Sequence, residues 1–157
     1  MGREVRRVPP GWEHPKRYRD PIRYQPLRDG YNKVLKEFED AIKEKGLEKA
    51  IEWFGGGPLK DEYMPDWPEE ERTHYQMYEI TSEGTPISPV METPEELARW
   101  LADNSASAFG GMTCTYEEWL GMIVGPGWAP SGVMIPGEGI KPGVSLSTPT
   151  PDDRRER

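Results

Sequence analysis

Cys114 and His74 are the residue types that a nucleophile–base pair requires, a thiol and an imidazole that need only meet in space. Against that chemistry stands the burial habit of cysteine: Cys114 directly precedes a helix cap, and the expectation is a packed, inert thiol. The other imidazole, His14, is sixty residues from His74. Neither has neighbours at metal-ligand spacing, so no metal site and no cofactor are expected. Asp66, Glu69, Glu70 and Glu71 read as a solvated acidic turn, because paired carboxylates do acid–base work only in a pocket that shifts their pKa. The chain has no GxSxG elbow, HExxH pair or dinucleotide-binding glycine pattern. Gly55-Gly56-Gly57 lacks the spacing of a phosphate loop, which leaves Lys60 as weak support for a nucleotide. No catalytic residue is assigned, and the sequence reads as a binding protein rather than an enzyme.

Binding groups are easier to find. In "SEGTPISPV" three hydroxyls, Ser82, Thr85 and Ser88, sit on one loop stiffened by Pro86 and Pro89. Prolines there would set the angle between a strand and the next helix, and a loop held on a scaffold is also where ligand contacts tend to sit. A small-ligand or nucleotide site, hydrolytic if it has chemistry at all, would use this loop beside His74, Tyr75 and Cys114. The chain also has six tryptophans, more than a small core needs. Trp100 and Trp119 have helical spacing and apolar neighbours and are assigned to the core. Trp12 and Trp67, in proline-rich and acidic contexts, are assigned as contact points.

Elements must position these groups. The 157 residues suit one domain, with only 34% apolar positions but sixteen aromatics to compensate, and with 17 Gly and 17 Pro favouring loops. The net charge of −8 is uneven: residues 1–28 carry eight Arg or Lys against three acids, leaving −13 on the rest. This segment has prolines at 9, 10, 15, 21 and 26 and is expected to be extended, with one short strand at 4–8. It reads as a strap across the acidic body, with Tyr18, Ile22 and Tyr24 buried, because overall acidity opposes nucleic-acid binding. Tyr31, Val34, Leu35, Phe38, Ala41 and Ile42 recur at helical spacing; Gly46 ends that helix and a shorter one follows from Leu47. Residues 73–81 read as a strand with His74, Gln76 and Tyr78 on one face and Tyr75, Met77 and Glu79 on the other. Thr93-Pro94-Glu95-Glu96 and Thr115-Tyr116-Glu117-Glu118 are capping-box sequences that start two more helices, and residues 132–135 can supply another strand. The result is an α+β fold, a small antiparallel sheet packed by about three helices. Its expected parts are the arm at 1–28, one domain at 29–140 and a flexible tail at 141–157.

A lone cysteine forms no intramolecular disulfide, and no secretory leader is visible, which together fit a reducing cytoplasm. Arg6 stands where a myristoylation signal needs Ser or Thr, and no apolar run approaches the ~20 residues of a membrane span. A soluble protein without a membrane partner is expected.

"VRRVPPGWEHP", "MPDWPEEERTHYQMYEITSEGTPISPVMETPEELARWLADN" and "GWAPS" resemble a family of small uncharacterised proteins encoded by bacteriophages and prophages. The resemblance spans most of the chain and brings no catalytic motif. It implies a viral origin and expression in the cytoplasm of a bacterial host. Together with the acidity and the surplus tryptophan, it leads us to expect a non-enzymatic accessory protein that binds a host or phage protein, for instance to counter a bacterial process such as defence. Alternatives are a small-molecule binder, an acidic DNA mimic and a virion component.

Overall fold

The computed structural model describes residues 2–17 and 23–146. They fall into two units, one built from Met1–Gln25 with Trp67–Arg157 and the other from Pro26–Asp66.

The first unit is organised by a four-stranded antiparallel sheet. Its strands are β1 (Gly2–Val8), β4 (His74–Glu79), β5 (Thr85–Pro86) and β6 (Trp128–Pro130), in the order β5-β4-β1-β6. The start of the basic segment is therefore an internal strand. Val5 faces Met77 and Arg6 faces Gln76 in the register, which fixes the two faces. Met77 and the partly buried Val5 meet the core, whereas Arg6, Val8, Gln76 and Tyr78 project from the other side and are themselves buried. Alternation along β4 holds as the sequence predicts, but Gln76, Met77 and Tyr78 are all covered because something lies on each face.

On the first face lie α3 (Pro94–Asp103) and α4 (Tyr116–Val124), whose Leu97, Leu101, Trp119 and Met122 are fully buried with Met77. Both helices start where the sequence places them. Thr115 Oγ1 accepts from the Glu118 N–H and Glu118 returns a bond to the Thr115 N–H, a complete capping box. At Thr93 only half the box forms, since Glu96 reaches back to the N–H of Glu92 instead. On the second face the chain after β1 turns back, so that Trp12 and His14 lie on Tyr78. The strap thus exists, but its anchors are Trp12 and His14; Tyr24 is 41% exposed. Tyr18 and Ile22 lie outside the described residues. The strap's two-residue strands β2 (Lys16–Arg17) and β3 (Arg23–Tyr24) pair with each other.

Regular structure continues past residue 140. A hairpin of β7 (Gly132–Ile135) and β8 (Gly139–Pro142) leads into a 3₁₀ turn at Gly143–Leu146, where Val144 is fully buried. Residues 147–157 of the expected tail lie outside the described residues.

The second unit contains α1 (Tyr31–Lys45) and α2 (Leu47–Phe54), separated at Gly46, whose positive φ and N–H bond to Ile42 O end the first helix. Phe38 meets Phe54 edge to face, and a parallel bridge joins Arg28 to Tyr63. Four α-helices and an antiparallel sheet among the described residues make the fold α+β. No helix among the described residues is long and apolar enough to cross a membrane.

Candidate functional site

The proline loop and the strap together wall a groove of about 820 Å³. Pro86, Ile87, Ser88, Pro89 and Val90 form one side; Trp12 to Lys16 with Tyr24 form the other; Gln76 and Trp100 complete the lining. Prolines at 15, 86 and 89 remove backbone donors from both walls, so recognition there rests on side chains and apolar area rather than on strand pairing.

Beneath the groove runs a buried polar network. Tyr78, fully buried, is its hub: its hydroxyl accepts from Trp12 Nε1 at 3.1 Å and lies 2.9 Å from His14 Nδ1 and 3.1 Å from Gln76 Oε1. His14 Nε2 is 2.6 Å from the Gln25 carbonyl, while Gln76 Nε2 donates to Ser88 O at 2.9 Å. Ser88 Oγ accepts from the Met77 N–H and donates to Pro89 O. Loop, strand and strap are thus joined by one chain of hydrogen bonds. Arg6 stacks 4.3 Å over the Tyr78 ring and pairs with Glu4, so a cation lies near the network.

Burial pushes the His14 pKa down; the Gln25 carbonyl opposes this and the Arg6 charge adds to it. Because the folded value lies below the ordinary ~6.5, the unfolded chain takes up His14's proton first. His14 therefore favours folding fully above about pH 6.5 and progressively less as pH falls through its depressed folded value. Among the described residues, the groups around it are Arg6 and Glu4 on β1, Tyr78 on β4, and Glu13, Lys16 and Tyr24 on the strap. We expect the wild-type urea midpoint to drop between about pH 7 and pH 5 by more than that of His14→Gln, and an imidazole proton titration to report a pKa below ~6.5. Equal pH dependence in the two proteins would contradict this.

The residues singled out in the sequence scatter around this site. Trp12 and Ser88 line the groove, and Trp67 meets Trp12 edge to face at 4.7 Å. Ser82 and Thr85 do not line it; their hydroxyls bond each other, and Ser82 also donates to the Glu79 carbonyl. Tyr75 lies under the Arg7 guanidinium and exchanges backbone bonds with Met91. His74 bonds Thr73 through its ring and projects from the sheet face opposite Met77. Cys114 belongs to the core cluster on the Met77 side. Burial, aided by the Glu118 charge, pushes its thiol up to about 12, which keeps it protonated at neutral pH. The Cys114–His74 pair is not assembled.

His14, Gln76, Tyr78 and Trp100 are the site residues that the sequence reading missed. One signal was present: Gln76 and Tyr78 share a strand face with a polar pattern, and a polar stripe on a buried strand must find partners. Trp100, half-buried at the groove, is not purely a core residue. Among the described residues no three of His, Cys, Asp and Glu come together as a metal site. Comparison with protein-family models, with curated proteins and with solved structures finds no match to this chain.

Proposed function

We propose that this chain is a non-enzymatic accessory protein of bacteriophage origin that captures a segment of a host or phage protein in the groove beside Trp12. The observation that carries the reading is the groove itself, an open channel whose walls are aromatic and proline-rich and lack backbone donors at three positions. Aromatic and proline surfaces bury large apolar areas with little loss of side-chain freedom, which suits recognition of another chain. The protonated, buried Cys114 thiol supports binding over covalent chemistry. The viral origin and a role against a bacterial process such as defence rest on the sequence resemblance, and cytoplasmic location in the host follows from the same source.

Pro89 is exposed on the groove wall, so Pro89→Arg should block the channel without unfolding the protein. Affinity capture from phage-infected cells should recover a partner with wild type and lose most of it, roughly ten-fold or more, with this variant at unchanged melting temperature. Equal recovery would remove the groove from the interaction. A second reading, capture of a small molecule, is favoured by the groove's 820 Å³, within the range of ligand pockets. In that case small-molecule extracts of the purified protein, rather than captured protein, would differ between wild type and Pro89→Arg.

A further inference from the structure

Among the described residues the network under the groove is one proton short. Tyr78 has a single hydroxyl proton and two neighbours placed to accept it, His14 Nδ1 at 2.9 Å and Gln76 Oε1 at 3.1 Å. The Trp12 indole N–H, at 3.1 Å, also points at the Tyr78 oxygen, so it cannot meet either acceptor. Neutral His14 places its one proton on Nε2 against the Gln25 carbonyl, which leaves Nδ1 bare. Whichever way the Tyr78 proton turns, one buried acceptor remains.

Rearrangement does not remove the deficit. Moving the histidine proton to Nδ1 sets a bare Nε2 against the Gln25 oxygen at 2.6 Å. Turning the Gln76 amide sets its oxygen against the Ser88 carbonyl at 2.9 Å. Only a doubly protonated His14 closes every bond, donating from Nδ1 to Tyr78 and from Nε2 to Gln25 while Tyr78 donates to Gln76. Burial and the neighbouring Arg6 cation disfavour that form. At neutral pH the surplus acceptor belongs to His14 or Gln76, which are 7% and 6% exposed, and both residues line the groove.

A buried acceptor without a donor destabilises its site by about 1–3 kcal/mol until water or a ligand supplies the bond. Trp12, Tyr24 and Trp100 around it favour a flat partner, and the prolines favour an apolar one. We propose that the groove selects an aromatic side chain carrying an N–H or O–H at its rim, a Trp or Tyr of the captured protein segment, whose donor supplies the missing hydrogen to His14 or Gln76. This inference rests on the groove being the capture site, and it names what the captured segment must present.

The test uses indole and N-methylindole as probes of the full-length protein, with shape nearly constant and the donor present or absent. Indole should bind with shifts of the His14 imidazole and Gln76 side-chain resonances, and N-methylindole should bind roughly ten-fold or more weakly, as expected when a site built for a donor meets an analogue without one. Gln76→Met, which leaves the Tyr78 proton free for His14, should abolish that preference. Nitrogen chemical shifts of His14 in the unliganded wild type should show one protonated ring nitrogen at neutral pH, a readout that requires no variant. Equal affinities for the two probes, no binding of indole, or an imidazolium at neutral pH would each overturn the proposal. Partner capture that is lost in Pro89→Arg despite such a result would leave the groove as the binding site and reject only its donor selectivity.

Discussion

A chain lacking residues 2–8 should show no cooperative thermal transition in the unit that contains the sheet. β1 has six residue pairs with β4 and three with β6, and it lies between them in the sheet order. Its loss would leave a β4–β5 pair and an isolated three-residue strand, below what sheets need for independent stability. It would also remove Val8, which is fully buried, and the Arg3 side chain that donates to Ser107 O at 2.8 Å. These losses together are comparable to the whole stability of a domain, about 5–15 kcal/mol. Circular dichroism of the truncated chain is the measurement, and a melt like that of the full chain would refute the sheet order. Basic residues in this region should not behave alike. Arg17 and Arg23 are exposed, and their replacement should change stability by about 0–1 kcal/mol. Arg3 and Arg6 are buried and held by hydrogen bonds, so their replacement should cost more.

Trp119→Ala should be the most damaging single substitution in the core, at about 3–5 kcal/mol. Trp119 is the largest fully buried side chain, packed with Met77, Leu97, Leu101 and Met122. Its indole N–H has no hydrogen-bond partner among the described residues. Trp119→Phe removes that unsatisfied donor, worth about 1–3 kcal/mol, while keeping most of the apolar volume. The phenylalanine variant should therefore sit much closer to wild type in urea titrations than the alanine variant does. Two similar, large losses would mean that the indole N–H is satisfied and that the cavity account is incomplete.

What the sequence made legible was local. The starts of α3 and α4 are specified by a Thr and a Glu three residues apart, and the break between α1 and α2 by one glycine at positive φ. Each needs only a few neighbouring residues to form. Strand order was not legible, because the pairing of residues 3–8 with residues 74–79 is decided by tertiary contacts that no short window contains. The site was hidden for the same reason. Trp12 was recognisable as a contact residue, and Ser88 as part of a deliberate loop, yet nothing local shows that His14, Tyr78 and Gln76 join them into one network. Proline content was the clue whose meaning changed most. Beyond the stiff loop that it announced, it builds part of both walls of the groove, through Pro15, Pro86 and Pro89. Exposed Trp53 and Trp128, at 74% and 55%, show the opposite limit: composition announced surplus tryptophan without saying which of the six would face solvent.

The internal position of β1 also sets a timetable for biogenesis. The strand is synthesised before both of its neighbours, one near residue 76 and the other near residue 129. At elongation rates of about 5–20 residues per second, β1 waits roughly 6–25 seconds before its last neighbour exists. During that interval the helices of the Pro26–Asp66 unit can already form, since their contacts are local. β1 meanwhile carries two unpaired edges, and its charged residues Arg3, Glu4, Arg6 and Arg7 act in the nascent chain as a guard against pairing with other polypeptides.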